Sequence, residues 1–490
     1  MKNSSVLPAD GRIDDGAAAD TSAAAAAGAR GAASPLASAR LLFRLENVPF
    51  CRWHTKARVI MGSATFFDAF DALSLAFVLP VLVGLWHLSP GQVGLLIAAG
   101  YLGQVIGALL FGWVGERYGR VPAISTAVGV MSVMSIACAF AGNYEVLFLL
   151  RLLQGIGVGG EVPVAATYIN ELSQAKGRGR FFVLYELIFP LGLLAAAQVG
   201  AFIVPRYGWE YLFLVGGIPG VVILLFMMRL PESPRWLVGK GRLHDAERVI
   251  RQVEAATPKR SLDEQRDAEQ IEKRVNGLAD GITRQNKASW KELFSVVYRP
   301  RTLVVWVLWA SSYFVANGIN NWLPTLYKTV YHLPLQEALR MASLSNVLSV
   351  CAVLVCALFV DRIGRRRWAI GSFIVCGLLL GTLAFLGAQS AWSVMLLGST
   401  AYAVMGTTTV LLYLYTPEIY PTRMRAIGTG LATSWLRAAS ATAPAVVGFV
   451  LTGYGIATVF GMFAAMTVIG LIAARQMIET ANRSLEEISP

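Results

Sequence analysis

Apolar runs of about 20 residues, each long enough to cross a hydrocarbon core of ~30 Å as a helix, alternate with short polar breaks along most of the chain. Six such runs cover roughly 59–85, 91–114, 121–141, 146–170, 181–204 and 211–229. Six more fall at about 302–326, 339–360, 368–388, 392–416, 427–451 and 456–475. Between the sixth and seventh lies a charged stretch from Gly239 to Arg299, too polar to cross, with helical patches such as 245–250. The polar breaks form a pattern of their own. Gly115-Glu116-Arg117-Tyr118-Gly119-Arg120 returns as Val360-Asp361-Arg362-Ile363-Gly364-Arg365, 245 positions later. His87-Leu88 returns at the same offset as His332-Leu333. Tyr168-x-x-Glu171 followed by Arg178 returns as Tyr415-x-x-Glu418 followed by Arg425, 247 positions later. The pattern predicts an all-α integral membrane protein of twelve helices in two pseudo-symmetric six-helix halves. Duplication in a hydrophobic chain points to a transporter, because two similar bundles can rock about a site held between them.

Composition sharpens this picture. Hydrophobic residues make up 55% of the 490 and charged residues 15%, more apolar surface than a soluble domain of this length can cover. The net charge of +12 is not gathered into a nucleic-acid-binding face but alternates by loop. In the first half the odd loops carry only Arg206, and in the second only Lys328. The even loops hold Arg117 and Arg120, Lys176, Arg178 and Arg180, Arg362 and Arg365–Arg367, and Arg423 and Arg425. Lys and Arg are retained on the cytoplasmic side, which puts both termini and the middle segment inside. Residues 1–39, Ala/Gly/Ser/Asp-rich, read as a disordered cytoplasmic tail, and 40–56, mixing bulky apolar and basic residues, as an interfacial anchor. The remaining expected boundaries are an N-terminal bundle at 57–230, a cytoplasmic linker at 231–300, a C-terminal bundle at 301–476 and a tail at 477–490. Five cysteines show no metal spacing, and four lie within apolar runs as reduced thiols. The four histidines fall in loops or flanks, and no nucleophile–base or metal constellation appears. The chain is therefore not read as an enzyme, and it calls for no metal or cofactor.

The repeated motifs Gly112-x-x-x-Glu116-Arg117-x-Gly119-Arg120 and Asp361-Arg362-x-Gly364-Arg365-Arg366 resemble the loop motif of the major facilitator superfamily, with Glu116 where that family usually has Asp and Ala357 where it has Gly. A glycine turn that holds a carboxylate beside arginines at a helix end can latch one conformation. Arg151-x-x-Gln154-Gly155-x-Gly157-x-Gly159-Gly160 resembles the fourth-span motif of the same superfamily. Its glycines lie in an apolar run, where they permit close helix packing, and no Walker-type Gly-Lys-Ser/Thr follows. Tyr168–Glu171 with Arg178-Gly179-Arg180, and Pro231-Glu232-Ser233-Pro234-Arg235-Trp236-Leu237, resemble sugar-porter motifs, which sugar, organic-ion and aromatic-acid carriers share. The resemblance covers about 57–475. It implies the twelve-helix major facilitator fold and gates built from Glu116, Arg117, Arg120, Arg151, Glu171, Arg178, Asp361, Arg362, Arg365, Glu418 and Arg425.

Asp68 and Asp71, three residues apart in Phe66-Phe67-Asp68-Ala69-Phe70-Asp71, share one helix face near mid-membrane. An ionised carboxylate there is expensive, so the pair reads as a proton or cation site. The Asp-x-x-Asp first span is similar to that of aromatic-acid proton symporters, niacin carriers and synaptic-vesicle-glycoprotein-like carriers. Arg44-Leu45-Glu46-Asn47-Val48-Pro49, with Arg52 and His54, resembles the niacin branch more closely. Arg151, Glu161, Glu186 and Arg437 are further buried charges. Arg151 is expected to pair across helices, with Asp71 as one candidate partner. Arg437, mid-span with no carboxylate within four residues, either receives a substrate carboxylate or pairs with an acid on another helix. Asn317, Asn320, Asn321, Trp322, Tyr402, Tyr413 and Trp435 are candidates to orient or stack on a flat ring.

These readings converge on a monomeric, proton-coupled symporter of a small aromatic monocarboxylate, nicotinate or nicotinamide by resemblance, working by alternating access. Its partners would be substrate, protons and lipid. A sugar or organic-cation carrier is the alternative, with the two aspartates holding a cation directly. A non-transporting receptor on the same scaffold is a third, disfavoured by the intramembrane charges in both halves.

Overall fold

A computed structural model describes residues 35–48, 51–172, 188–256, 290–420 and 424–480. Helices account for nearly all of them. In the first half these are α1 (Pro35–Asn47), α2 (Arg52–Trp86), α3 (Pro90–Arg117), α4 (Arg120–Cys138), α5 (Tyr144–Leu172), α6 (Ile188–Tyr207) and α7 (Glu210–Met227). Two short helices follow, α8 (Pro234–Gly239) and α9 (Leu243–Ala255). The second half contains α10 (Arg299–Thr329), α11 (Leu335–Ile363), α12 (Arg365–Phe385), α13 (Ser399–Glu418) and α14 (Arg425–Arg475). Among the described residues, eleven helices are long and apolar enough to cross a membrane. The last is 51 residues long and is broken at Gly455, whose φ of 78° and ψ of 176° are not helical, so it supplies two crossings. The twelve spans expected from the apolar runs are thus present, residues 181–187 of the fifth lying outside the described residues.

Span ends carry ordinary helix punctuation. At α3, Ser89 accepts from the Gln92 backbone N–H while the Gln92 side chain accepts from the Ser89 N–H, so two orphan donors are satisfied at once. Pro90 occupies the first turn, where its missing N–H costs nothing.

The described residues divide into two units, and the spans fall in the second, Arg52–Ser233 with 286–490. The glycines of α5 fix the local packing there. A Cβ on Gly155 would collide with the backbone of α3 at Gly100, and one on Gly157 would lie 2.5 Å from the Met131 nitrogen of α4. The helix is thereby pressed into both neighbours. At the end remote from the Arg-rich loops, the two halves meet through α3 and α14. A Cβ on Gly94 would lie 2.5 Å from the Pro444 oxygen and 3.0 Å from the Ala445 Cα, and one on Gly448 would strike the Pro90 oxygen. Backbone lies against backbone at this distal contact.

The first unit comprises 1–51 with 234–285. In it α1 packs against α9. Arg44 reaches Glu254 through Nε at 3.0 Å and Nη2 at 2.7 Å, and Glu247 lies 3.7 Å from its Nη1. Hydrogen bonding to Glu254 holds the Arg44 pKa above its ordinary value. Ala39, Leu41 and Leu45 are buried. Leu41 and Leu45 are covered within this unit, where α9 offers an apolar face (Ala246, Val249, Ile250, Val253) flanked by its acids.

Candidate functional site: a charged core between the halves and its gates

Asp71 and Asp68 share a face of α2 but not an environment. Asp71 is buried and fully engaged. Ser135 of α4 donates to its Oδ1 at 2.7 Å, and the Gln154 amide of α5 donates to Oδ2 at 2.5 Å. Arg151, one turn before Gln154, donates to the Gln154 Oε1 at 2.6 Å and approaches the Asp71 carbonyl oxygen at 3.5 Å. The expected Arg151–Asp71 pairing is therefore relayed by Gln154. Arg151 lies in the second turn of α5 and belongs to this network, apart from the loop clusters.

Asp68 lies one turn earlier and is also buried. Among the described residues its Oδ1 has no hydrogen-bond partner. Its electrostatic neighbours are Glu161 of α5, Asp71, and Arg437 of α14 from the other half. Arg437 in turn faces Tyr413, Asp68 and Tyr313, and among the described residues it has no hydrogen bond or ion pair. Trp309 backs the two tyrosines, stacked on Tyr313 at 5.5 Å and edge-on to Tyr413 at 4.7 Å. Its own N–H is spent on Thr416 at 2.9 Å. A guanidinium whose electrostatic neighbours are two phenols and a carboxylate can receive a flat, anionic ligand in bidentate fashion.

The other ring-orienting candidates separate. Asn321 donates to the Tyr101 hydroxyl at 3.2 Å, joining α10 to α3 across the halves. Asn320 accepts from Asn346 at 3.3 Å, and Tyr402 donates to Asn346 at 3.4 Å, a polar chain behind α10. Asn317 donates to Ser440 at 2.5 Å, beside the Arg437 turn. Trp322 is buried with its indole N–H on the Pro444 oxygen at 3.2 Å, which makes it a brace for α14. Trp435 is 42% exposed and packs on Trp306 at 5.5 Å, two residues before Arg437. Tyr313 and Tyr101 escaped the sequence reading, since a tyrosine in an apolar run looks like packing until its partner helix is known.

The loop motifs assemble two ion-pair clusters of one design. In the first half Arg120 joins Glu171 at 3.0 Å and Glu116 at 2.9 Å, while Glu232 accepts from the Arg120 and Val121 backbone N–H groups at 2.9 and 3.2 Å. In the second half Arg365 lies 3.6 Å from Glu418, and Glu479 accepts from the Arg365 and Arg366 N–H groups at 2.8 and 3.2 Å. Each carboxylate satisfies orphan donors at a helix N-terminus. Burial nonetheless raises the Glu232 pKa above the ordinary carboxylate value, against the backbone donors that favour its charge. The motif glycines are required here. Gly119 and Gly364 have φ of 120° and 93°, and a Cβ on either would meet the capping carboxylate. Glu479 was not anticipated, although its offset from Glu232 is the same 247 positions that relate Tyr168 to Tyr415. Those tyrosines join the same points: Tyr168 donates to the Pro231 oxygen at 2.7 Å, and Tyr415 accepts from the Ile478 N–H at 3.1 Å, where Pro231 has no N–H to give. Arg117 lies outside the ion-pair cluster, over the Trp113 and Tyr118 rings at 5.6 and 5.7 Å. Arg362 is exposed. Arg178 lies outside the described residues, as do the side chains of Asp361 and Arg425.

Comparison with known proteins agrees with this architecture. The family model described as sugar (and other) transporter matches residues 61–490. The niacin transporter NiaP of Acinetobacter baylyi is 31% identical over 459 residues, 91% of this chain and 99% of that protein. The gallate transporter of Pseudomonas putida is 28% identical over 80% of this chain and 83% of its own, and organic cation/carnitine transporter 7 of Arabidopsis thaliana is 28% identical over 86% and 90%. In three dimensions the chain resembles the xylose transporter XylE from E. coli in a partially occluded inward-open conformation, with a TM-score of 0.70 at 19% identity, covering 88% of this chain and 99% of that one. The chain belongs to the sugar (and other) transporter family and is a membrane transporter of the major facilitator superfamily.

Proposed function

We propose that this transporter is a proton-coupled symporter of a small aromatic monocarboxylate, with nicotinate first among candidates, working by alternating access in a bacterial inner membrane. The observation that carries the reading is Arg437: a guanidinium without a hydrogen bond or ion pair among the described residues, with Tyr413, Tyr313 and Asp68 of the other half as its electrostatic neighbours. The substrate carboxylate takes Arg437 as a bidentate partner and the ring lies against the tyrosines. Asp68 accepts the driving proton, while Asp71 is held by Ser135 and Gln154 and keeps α2, α4 and α5 in register. Reorientation of a loaded site whose charges cancel is cheaper than that of a charged one. The niacin and gallate carriers among the relatives support a flat carboxylate as ligand. The two loop gates pair and unpair as the halves rock.

Equilibrium binding of labelled nicotinate to the purified protein tests this, with benzoate, nicotinamide and a pentose as competitors. Displacement by benzoate and not by the pentose is expected, with binding lost in Arg437→Gln. A second reading, an organic-cation carrier, draws on the Asp68 oxygen that has no hydrogen-bond partner among the described residues and on the plant relative. In that case a quaternary ammonium compound would bind, and Arg437→Gln would leave binding intact.

A further inference from the structure

Tyr101 of α3 and Asn321 of α10 meet across the two halves, away from the ion-pair clusters of the loops. The Asn321 side-chain nitrogen gives its hydrogens in two directions. It donates to the Asn317 carbonyl oxygen at 2.9 Å, one turn back on its own helix, and to the Tyr101 hydroxyl at 3.2 Å. The bond within α10 fixes the amide, so the second N–H is already aimed at the opposite half. Asn321 is buried, as is Trp322 beside it. On the other side of the contact, Arg151 of α5 is an electrostatic neighbour of Tyr101. A Cβ on Gly100 would stand 3.4 Å from the Arg151 Nη2, so the guanidinium lies against the turn of α3 that carries Tyr101.

The level of this pair along the spans follows from its neighbours. Both α10, from Arg299, and α14, from Arg425, run from the Arg-rich end toward the distal end. Asn317 donates to Ser440 at 2.5 Å, three residues beyond Arg437. Asn321 lies one turn further toward the distal end. Trp322 gives its indole N–H to the Pro444 oxygen, the same atom that Gly94 of α3 faces at the distal contact. Tyr101 follows Gly94 by seven residues, two turns and ~10 Å along α3 on the same helix face. The stretch Asn317–Trp322 thus touches Ser440 near Arg437, Tyr101 of the first half and Pro444 at the distal contact. When α3 leaves α14 on opening, Tyr101 moves with α3 while Asn321 stays with α10, and their bond is broken.

We propose that Tyr101 is a positioning residue of transport: with Asn321 it makes a side-chain bond that exists only while the distal end is closed, and this bond helps set the balance between closed and open forms. Tyr101 acts through Asn321. Because Asn321 is held by Asn317, and Asn317 by Ser440, closure of the distal end and the arrangement of the α14 turn next to Arg437 are fixed together. Phenylalanine at position 101 keeps the ring and its packing and removes only the bond. The bond requires no substrate assignment, only that the halves rock.

Paired spin labels test this in the purified full chain in lipid. Phe140, just beyond α4, and Trp392, shortly before α13, are exposed and belong to opposite halves, so their separation reads the closed and open populations. Tyr101→Phe is expected to shift the balance roughly 2- to 10-fold toward open, as the loss of one neutral hydrogen bond would. Asn321→Ala is expected to shift it in the same direction, and the double variant no further than Asn321→Ala alone, because the two side chains share one bond. A tyrosine that only packs would change the thermal midpoint and leave the distances where they were. Unmoved populations in a folded Tyr101→Phe overturn the proposal, and so do shifts that simply add in the double variant. Should Tyr101→Phe fail to fold, Asn321→Ala decides by the same distances, and unmoved populations there overturn it equally. Failure of nicotinate to bind would refute the substrate assignment and leave these distances untouched.

Discussion

The distal contact between the halves gives the sharpest mechanical prediction. Alternating access requires α3 and α14 to part at the end where Gly94 now lies against the backbone of Pro444 and Ala445. A Cβ at Gly94 would stand 2.5 Å from the Pro444 oxygen, 3.0 Å from the Ala445 Cα and 3.1 Å from the Pro444 carbonyl carbon. All three atoms are backbone, so no side-chain rotation relieves them. Ordinary contact begins at 3.4 Å, so the helices must separate by the difference of 0.9 Å (3.4 − 2.5). Overpacking of this kind costs about 1–3 kcal/mol. The helix-propensity gain of alanine over glycine, about 1 kcal/mol, is common to closed and open forms and cancels between them. Gly94→Ala should therefore move the closed-to-open equilibrium at the distal end roughly 5- to 150-fold toward open. Spin labels at Leu85 of α2 and Tyr454 near the α14 break, both exposed and on opposite halves, would report it as growth of a longer inter-label distance. Gly448→Ala should do the same, since its Cβ meets the Pro90 oxygen. An unchanged distance distribution in a folded Gly94→Ala variant would refute the claim that this contact closes the distal end.

Other substitutions probe the charged core and the gates. Arg437→Lys keeps the charge but loses the planar fork, so nicotinate affinity should fall about 10-fold or more, in line with the ~1.5–3 kcal/mol of a hydrogen bond to a charged group. Gln154→Leu leaves the buried Asp71 Oδ2 without its donor and separates Arg151 from it. Unfolding in detergent should become easier by about 1–3 kcal/mol, read as a lowered thermal midpoint. Glu232→Ala and Glu479→Ala each uncap a helix N-terminus. Losses of about 1–2 kcal/mol are expected at both, similar in size because the geometry repeats. A silent Glu479→Ala beside a damaging Glu232→Ala would show that the second cap is not equivalent to the first.

Much of the architecture was written in the chain because membrane spans announce themselves by length and apolarity, and the basic loops by their alternation. Asp68 and Asp71 stood out for the same reason, as carboxylates in an apolar run. Their separate fates could not be read there. Asp71 is defined by Ser135 of α4 and Gln154 of α5, and Asp68 by Glu161, also of α5, and Arg437 of α14. Helices apolar on every side carry no stripe to say which face meets which neighbour. Trp322 and Trp435 looked alike as ring-stacking candidates, yet one braces α14 through the Pro444 oxygen and the other sits against Trp306. Glu479 was legible after all, from the 247-residue offset that relates the two halves. That Leu41 and Leu45 of α1 meet α9 was not legible, because α9 lies some two hundred residues further along.

The central claim is that proton movement drives an aromatic carboxylate through this site. Uptake of labelled nicotinate into proteoliposomes holding the purified full chain, with and without an inward proton gradient, tests it most directly. The account predicts accumulation that requires the gradient, collapses with a protonophore and is absent in Asp68→Asn. Nicotinate that neither accumulates nor exchanges, while a quaternary ammonium compound or a pentose does, would contradict it.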